Sequence, residues 1–209
     1  MNTSALKRLL SLPAMFRGAD LTLRFGWTTK NASQYLYLWK RAGLVQPFGG
    51  HSDVYANLVV QPKPDWDSAA VMAMPSAVLV GVEALRRHGW VTQIQQEPEI
   101  AVRATGSCFS TPLFVVTALP DRWFEAVKAG RDRSQGALPC LRPAWALADM
   151  LARQGWDGCG IQPDDIDWEL AEARDEADWD TACGALGLEL PALLDLAEDP
   201  RSHRPGRYG

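Results

Sequence analysis

Along the first part of the chain, apolar residues recur at helical spacing. Leu6, Leu9, Leu10 and Met15 form one such series, with Ser4 placed as an N-cap and Pro13 near its end. A second helix is predicted from about Ala19 to Phe25, with Gly26 as its stop. A third begins at Thr28 or Thr29, whose hydroxyl can accept a backbone N–H bond in the first turn. It ends before Gly43, a residue suited to a left-handed C-terminal cap. The pattern then changes: "LVQPF" and "VYANLVV" have strand character, and "GGHSD" between them is turn chemistry.

Helix, helix, turn, helix, hairpin is the order of a winged helix-turn-helix. "VVQPKPDWD", with Pro62 and Pro64 close together, reads as a linker, which predicts a first domain over residues 1–64 and a second over 65–209. In the second, "PSAVLVGVEALRRHG" reads as a helix entered through Pro75 and stopped by Gly89. "PEIAVRA" and "PLFVVTAL" read as short strands, and "DRWFEAVKAG" and "RPAWALADMLARQG" as amphipathic helices. The expected fold class is therefore α+β: a winged helix-turn-helix followed by a mixed α/β C-terminal domain. The acidic stretch from Asp164 onward still carries Trp168, Trp179, Leu186, Leu190, Leu193 and Leu194. It is expected to be a folded acidic helical surface, with the closing "RSHRPGRYG" fraying.

Totals narrow the function. A hydrophobic content of 47% in 209 residues supports a real core. No apolar run approaches the roughly 18 residues of a membrane span, and the opening stretch lacks a signal peptide's apolar block, so a soluble, cytoplasmic chain is expected. Cys108, Cys140, Cys159 and Cys183 form no Cys-x-x-Cys pair or zinc-like cluster, and no metal or cofactor is expected. The net charge of −4 hides a strong asymmetry. Residues 1–64 hold eight Lys/Arg against Asp20 and Asp53, a balance of +6, residues 65–143 balance to zero, and residues 144–209 carry −10. A polyanion partner is thus predicted for the first segment only.

The third helix is the candidate reader. At about 100° per residue, Ala32, Leu36 and Trp39 share a stripe that a small domain buries, while Lys30, Gln34, Tyr37 and Arg41 share another. Thr29, Lys30, Asn31, Ser33, Gln34 and Tyr37 are the candidates for contact with base edges in the major groove. Arg24, Lys40, Arg41 and, at the hairpin tip, His51 are the candidates for phosphate. A merely solvated face gives the same pattern. The preceding helix, the following hairpin and the +6 balance favour DNA. The tip itself carries no Lys or Arg.

The chain also resembles the AbiEi family, antitoxin-type transcriptional regulators of abortive-infection (type IV) toxin–antitoxin systems. "MNTSALKRLLSL" through "WKRAGLVQPFGGHSDVYANL", closing on Tyr55, is similar to that family's winged-helix domain. "PSAVLVGVEALRRHGW", with Gly81, Ala84, Leu85, His88 and Gly89, is similar to the pattern that opens its second domain, and "LPCLRPAWALADMLARQG" to a later helix. The resemblance spans roughly residues 1–155. It implies a repressor that binds inverted repeats in its own promoter and counters a nucleotidyltransferase-like toxin, which it need not hold in a stable complex.

No stretch names a reaction, so no catalytic residue is assigned and the chain reads as not an enzyme. His88 follows Arg86 and Arg87 at a helix end and is expected to cap carbonyls there. "DDIDWE" reads as solvated charge. Gly106-Ser107 opens no phosphate loop, and Cys108 has no His partner in sequence. A rival reading from another class is a protein- or RNA-interaction module whose acidic C-terminal face binds a partner directly.

Overall fold

A computed structural model describes residues 3–104 and 110–198. Gly106, Ser107, Cys108 and "RSHRPGRYG" lie outside the described residues. The architecture is mixed α and β, with two separate sheets. The chain divides into two compact units, the first holding everything up to Ser76 together with Phe109–Leu113, the second the remainder.

The first unit begins with α1 (Thr3–Leu10), so Ser4 lies in its first turn rather than ahead of it. Met15, counted above with the helical series, belongs instead to strand β1 (Met15–Arg17). Pro13 stops the helix, and buried Asn57 replaces the missing helical bonds: its Nδ2 donates to the carbonyl of Leu9 at 2.8 Å and lies 3.4 and 3.5 Å from those of Leu12 and Pro13.

Helix α2 (Gly18–Phe25) starts where the Arg17 N–H donates to the Asp20 carboxylate at 2.7 Å, and ends on left-handed Gly26. Thr28 caps α3 (Thr29–Arg41) by accepting from the Asn31 N–H at 3.3 Å. Strands β2 (Val45–Pro47) and β3 (Val54–Asn57) complete an antiparallel sheet of order β1-β3-β2, in which Pro47 sits on the edge strand where its missing N–H does no harm. Leu9, Leu12, Phe16, Leu21, Ala32, Leu36, Trp39 and Val45 form the core beneath it.

The unit reaches past residue 64 because α4 (Trp66–Ala73) belongs to it. Trp66 lies 6.5 Å from the Phe48 ring, and Arg17 donates to the carbonyl of Met72.

In the second unit the stretch expected as one helix from Pro75 divides into β4 (Val78–Leu79) and α5 (Gly81–Arg87). Gly81 at φ +69° supplies the break, and β4 pairs on both sides. Strands β5 (Glu99–Arg103) and β6 (Val115–Leu119) stand where expected and run parallel. Helix α6 (Asp121–Ala126) follows, then the two-residue strands β7 (Arg131–Asp132) and β8 (Cys140–Leu141), giving a mixed sheet of order β6-β5-β4-β8-β7.

Helix α7 (Pro143–Gly158) is interrupted at Gly155, where φ is 63° and ψ 178°. The acidic end folds as α8 (Ala173–Leu186) and α9 (Leu193–Glu198), with Trp179, Leu193 and Leu196 buried and Arg142 gripping Asp178 at 2.5 and 2.6 Å. Among the described residues no helix is long and apolar enough to cross a membrane.

Asn57→Asp is expected to destabilise the protein by about 2–3 kcal/mol at neutral pH, because an ionised carboxylate offers only acceptors to carbonyls that need a donor. Urea denaturation of the full chain measures this, and an unchanged midpoint would remove Asn57 from the account of the fold.

Candidate nucleic-acid interface

Trp39 is fully buried, with Ala32 and Leu36 largely buried beside it, and this orients α3 about its axis. Trp27 and Tyr35 stack at 4.2 Å against the same side, with the Arg8 guanidinium 5.3 Å from the Trp27 ring. The opposite side is left to solvent. Thr29, Lys30, Asn31, Ser33, Gln34, Tyr37, Lys40 and Arg41 are all exposed, and so are Arg24 on α2 and His51 on the hairpin. Tyr37 is 62% exposed on that side.

These residues do not all share one surface. Ser33, Tyr37 and Lys40 line a groove of about 420 Å³ whose other wall is the hairpin, through Pro47, Gly49, Gly50, Ser52 and Tyr55. Lys30, Gln34 and Arg41 form the adjoining stripe. Asn31 falls farther round, next to exposed Leu38, on the side of the helix away from the hairpin. His51 is exposed at the tip, while its neighbours Gly50 and Ser52 line the groove. The groove residues contributed by the hairpin were not singled out from the sequence, because glycines and serines in a turn carry no signal of what they face.

The charges in the first unit sort cleanly. Asp20 accepts the Arg17 backbone N–H, and Asp53 pairs with the Arg17 guanidinium at 2.9 Å. Arg8 is spent on Trp27 and on Tyr35, whose hydroxyl lies 3.4 Å away. Arg24, Lys30, Lys40 and Arg41 make no ion pair among the described residues. Burial and the nearby Asp53 charge push the Tyr55 phenol upward, so the groove wall there stays neutral.

The second unit has a cleft of about 470 Å³ lined by Gly81, Glu97, Glu99, Thr117, Arg153 and Gln154 among others. A charged network runs along it. Arg153 donates to the two Glu99 oxygens at 2.7 and 3.2 Å and to Asp149 at 2.9 Å; Trp123 donates to Asp149 and Thr117 to Glu99, both at 2.7 Å. Burial works to raise the Glu99 carboxyl, but hydrogen bonds from Arg153 and Thr117 and the guanidinium charge outweigh it and leave Glu99 below the usual carboxylate range. For the fully buried Asp149, burial prevails over Arg153 and holds the carboxyl above that range.

His88 is the C-cap of α5, and its backbone N–H bonds the Leu85 carbonyl at 3.1 Å; burial depresses its imidazole against the pull of Asp132 and Asp175. Arg86 and Arg87 both reach Glu83, at 2.6 and 3.4 Å. In "DDIDWE" the acids are exposed around buried Ile166. Cys140, Cys159 and Cys183 are buried free thiols, and burial with the Asp180 charge pushes Cys183 up to about 11. Among the described residues no three His, Cys, Asp or Glu side chains are grouped to hold a metal ion.

No protein-family model and no curated protein matches the chain. Among solved structures it is similar to the crystal structure of the RV2827C protein from Mycobacterium tuberculosis, with a TM-score of 0.50 and 14% sequence identity over 88% of this chain and 75% of that one. At that identity the likeness bears on the fold alone.

Arg153→Met is expected to cost about 3–5 kcal/mol at neutral pH by leaving two carboxylates buried without their cation. Unpaired, both carboxyls titrate above their unfolded values, so the loss should shrink as pH falls and they take up protons. Denaturation at neutral and acidic pH tests the sign, and a pH-independent loss would overturn it.

Proposed function

We propose that the first unit is a winged helix-turn-helix that binds duplex DNA, with α3 as the recognition helix and the β2–β3 hairpin as the wing. The order α1-β1-α2-α3-β2-β3 and a sheet in which the hairpin pairs with β1 support this reading. One observation carries it: Arg24, Lys30, Lys40 and Arg41 stand exposed and without ion pairs among the described residues, while the only two acids before residue 65 are both engaged. A protein that had no use for this charge could have neutralised it within the fold.

In this reading Gln34, Lys30 and Tyr37 face base edges, with Thr29 and Ser33 beside them and Asn31 at the margin; Lys40, Arg41, Arg24 and His51 face the backbone. The AbiEi resemblance extends the proposal to a repressor of its own operon, acting at inverted repeats and countering a nucleotidyltransferase-like toxin. A second reading, direct capture of a basic partner, draws on the folded acidic surface in which Glu172, Glu176 and Asp180 are exposed beside buried Trp179. A toxin complex that survives removal of residues 1–64 would favour it over the first.

Binding of the purified chain to its own upstream DNA tests the reading. If about five phosphates are neutralised, log K falls against log salt with a slope of roughly −4 to −5. Gln34→Ala is expected to relax sequence preference, and Lys40→Ala to weaken all sequences alike. No binding, or binding indifferent to salt, would sink the proposal.

A further inference from the structure

The wing tip presents a physical problem. It has no Lys or Arg, so it has no long side chain that could find a phosphate from a mobile loop. Whatever it contributes must come from short groups: the Ser52 hydroxyl, the His51 ring and backbone N–H groups. Short donors act only where the backbone is already in place, since ordering a loop on binding consumes affinity.

The structure holds that backbone from outside the hairpin. Ser110–Leu113, far along the chain, lies against the tip. The buried Thr111 hydroxyl donates to the Phe48 carbonyl at 2.7 Å and accepts from the Leu113 N–H at 3.3 Å. Phe48 immediately precedes Gly49 and Gly50, which stand at φ +108° and +60°. A Cβ on Gly49 would come within 2.8 Å of Pro112, and one on Gly50 within 2.5 Å of the Ser110 carbonyl oxygen. Both glycines are thus required twice over, by their dihedral angles and by the segment packed on them. The same tip lines the α3 groove, where Gly49, Gly50 and Ser52 face Ser33 and Lys40.

We infer that Thr111 is a positioning residue for DNA binding: the Ser110–Pro112 segment clamps the Gly49–Ser52 tip so that the Ser52 hydroxyl and the tip N–H groups other than that of Ser52, which bonds the Gly49 carbonyl, seat one backbone phosphate of the duplex in the groove with Lys40 opposite. The inference rests on the DNA-binding reading above. Thr111 touches no DNA in it and acts only by fixing the tip.

The test uses the full chain with Thr111→Val, which keeps the shape and removes the hydroxyl, and Thr111→Ser, which restores the hydroxyl. Two quantities are read: amide hydrogen exchange over residues 49–53, and affinity for the chain's own upstream duplex across a salt series. For Thr111→Val, exchange at the tip is expected to rise about tenfold, affinity to fall about tenfold, and the salt slope to become shallower by about one as one phosphate contact is lost. Thr111→Ser is expected to recover all three.

Unchanged exchange in α3, which lies in the same unit as Thr111, would show that the variant is folded. Unchanged exchange at the tip would overturn the clamp. Faster exchange with unaltered affinity and slope would reduce Thr111 to a structural role and overturn the inference. If the unaltered chain binds no duplex, the DNA reading falls and the phosphate seat with it, while the exchange comparison still decides whether Ser110–Pro112 holds the tip.

Discussion

The burial of Trp39 constrains more of the first unit than any other contact. A tryptophan on a 13-residue helix can be hidden in one rotation of that helix only, and Ala32 and Leu36 complete the same apolar stripe. Rolling α3 by even one residue, about 100°, would expose the indole and bring Asn31 and Leu38, or Ser33 and Lys40, inward in its place. Hydrophobic burial of this size sets the rotation, and the rotation in turn decides which polar residues border the hairpin. Ser33, Tyr37 and Lys40 belong to the groove for that reason, and Asn31 stands apart from it.

Electrostatics divides the molecule by how its arginines are used. In the second unit several form internal pairs, Arg86 and Arg87 with Glu83, Arg103 with Asp121 and Glu125, Arg142 with Asp178, and Arg153 with Glu99 and Asp149, while Arg122, Arg133 and Arg174 stay exposed. Several of these pairs are largely buried, where separating one partner leaves a desolvated charge, so they serve as fixed joints and are not free to bind. In the first unit Arg17 engages Asp53 and the Met72 carbonyl, and Arg8 lies against Trp27 and the Tyr35 hydroxyl. The remaining basic residues on α2 and α3, namely Arg24, Lys30, Lys40 and Arg41, are exposed and carry much of the first segment's positive balance to the surface.

Much of this was legible in the chain before any coordinates. Helices α2 and α3 carry their own boundaries, through Gly26, Thr28 and Gly43, because caps are local chemistry. The buried stripe of α3 follows from period alone, as do β5 and β6. Strand β1 was hidden because Met15 extends a helical series, and only Asn57, |i−j| = 48 from Leu9, shows where the helix gives out. Strands β4, β7 and β8, two residues each, are too short to display any period. They exist because neighbouring backbone pairs with them. The Arg153 network was partly readable, since Asp149 and Arg153 lie four apart on one helix face, but Glu99, |i−j| = 54 from Arg153, was not.

The hairpin tip joins these considerations. Its glycines looked like ordinary turn chemistry, and their positive φ angles alone account for both. Their surroundings require more: a carbonyl and a proline ring occupy the space where side chains would project, and Thr111 binds Phe48 across a separation of |i−j| = 63. A hairpin of short strands has little intrinsic stability in water, so the conformation of its tip is set by what packs on it. The segment that does so leads directly into β6 along the chain. The shape of the groove beside α3 therefore depends on residues that a division of the sequence at residue 64 would have assigned elsewhere, and a fragment ending there would keep the reading helix while losing the part that fixes its wing.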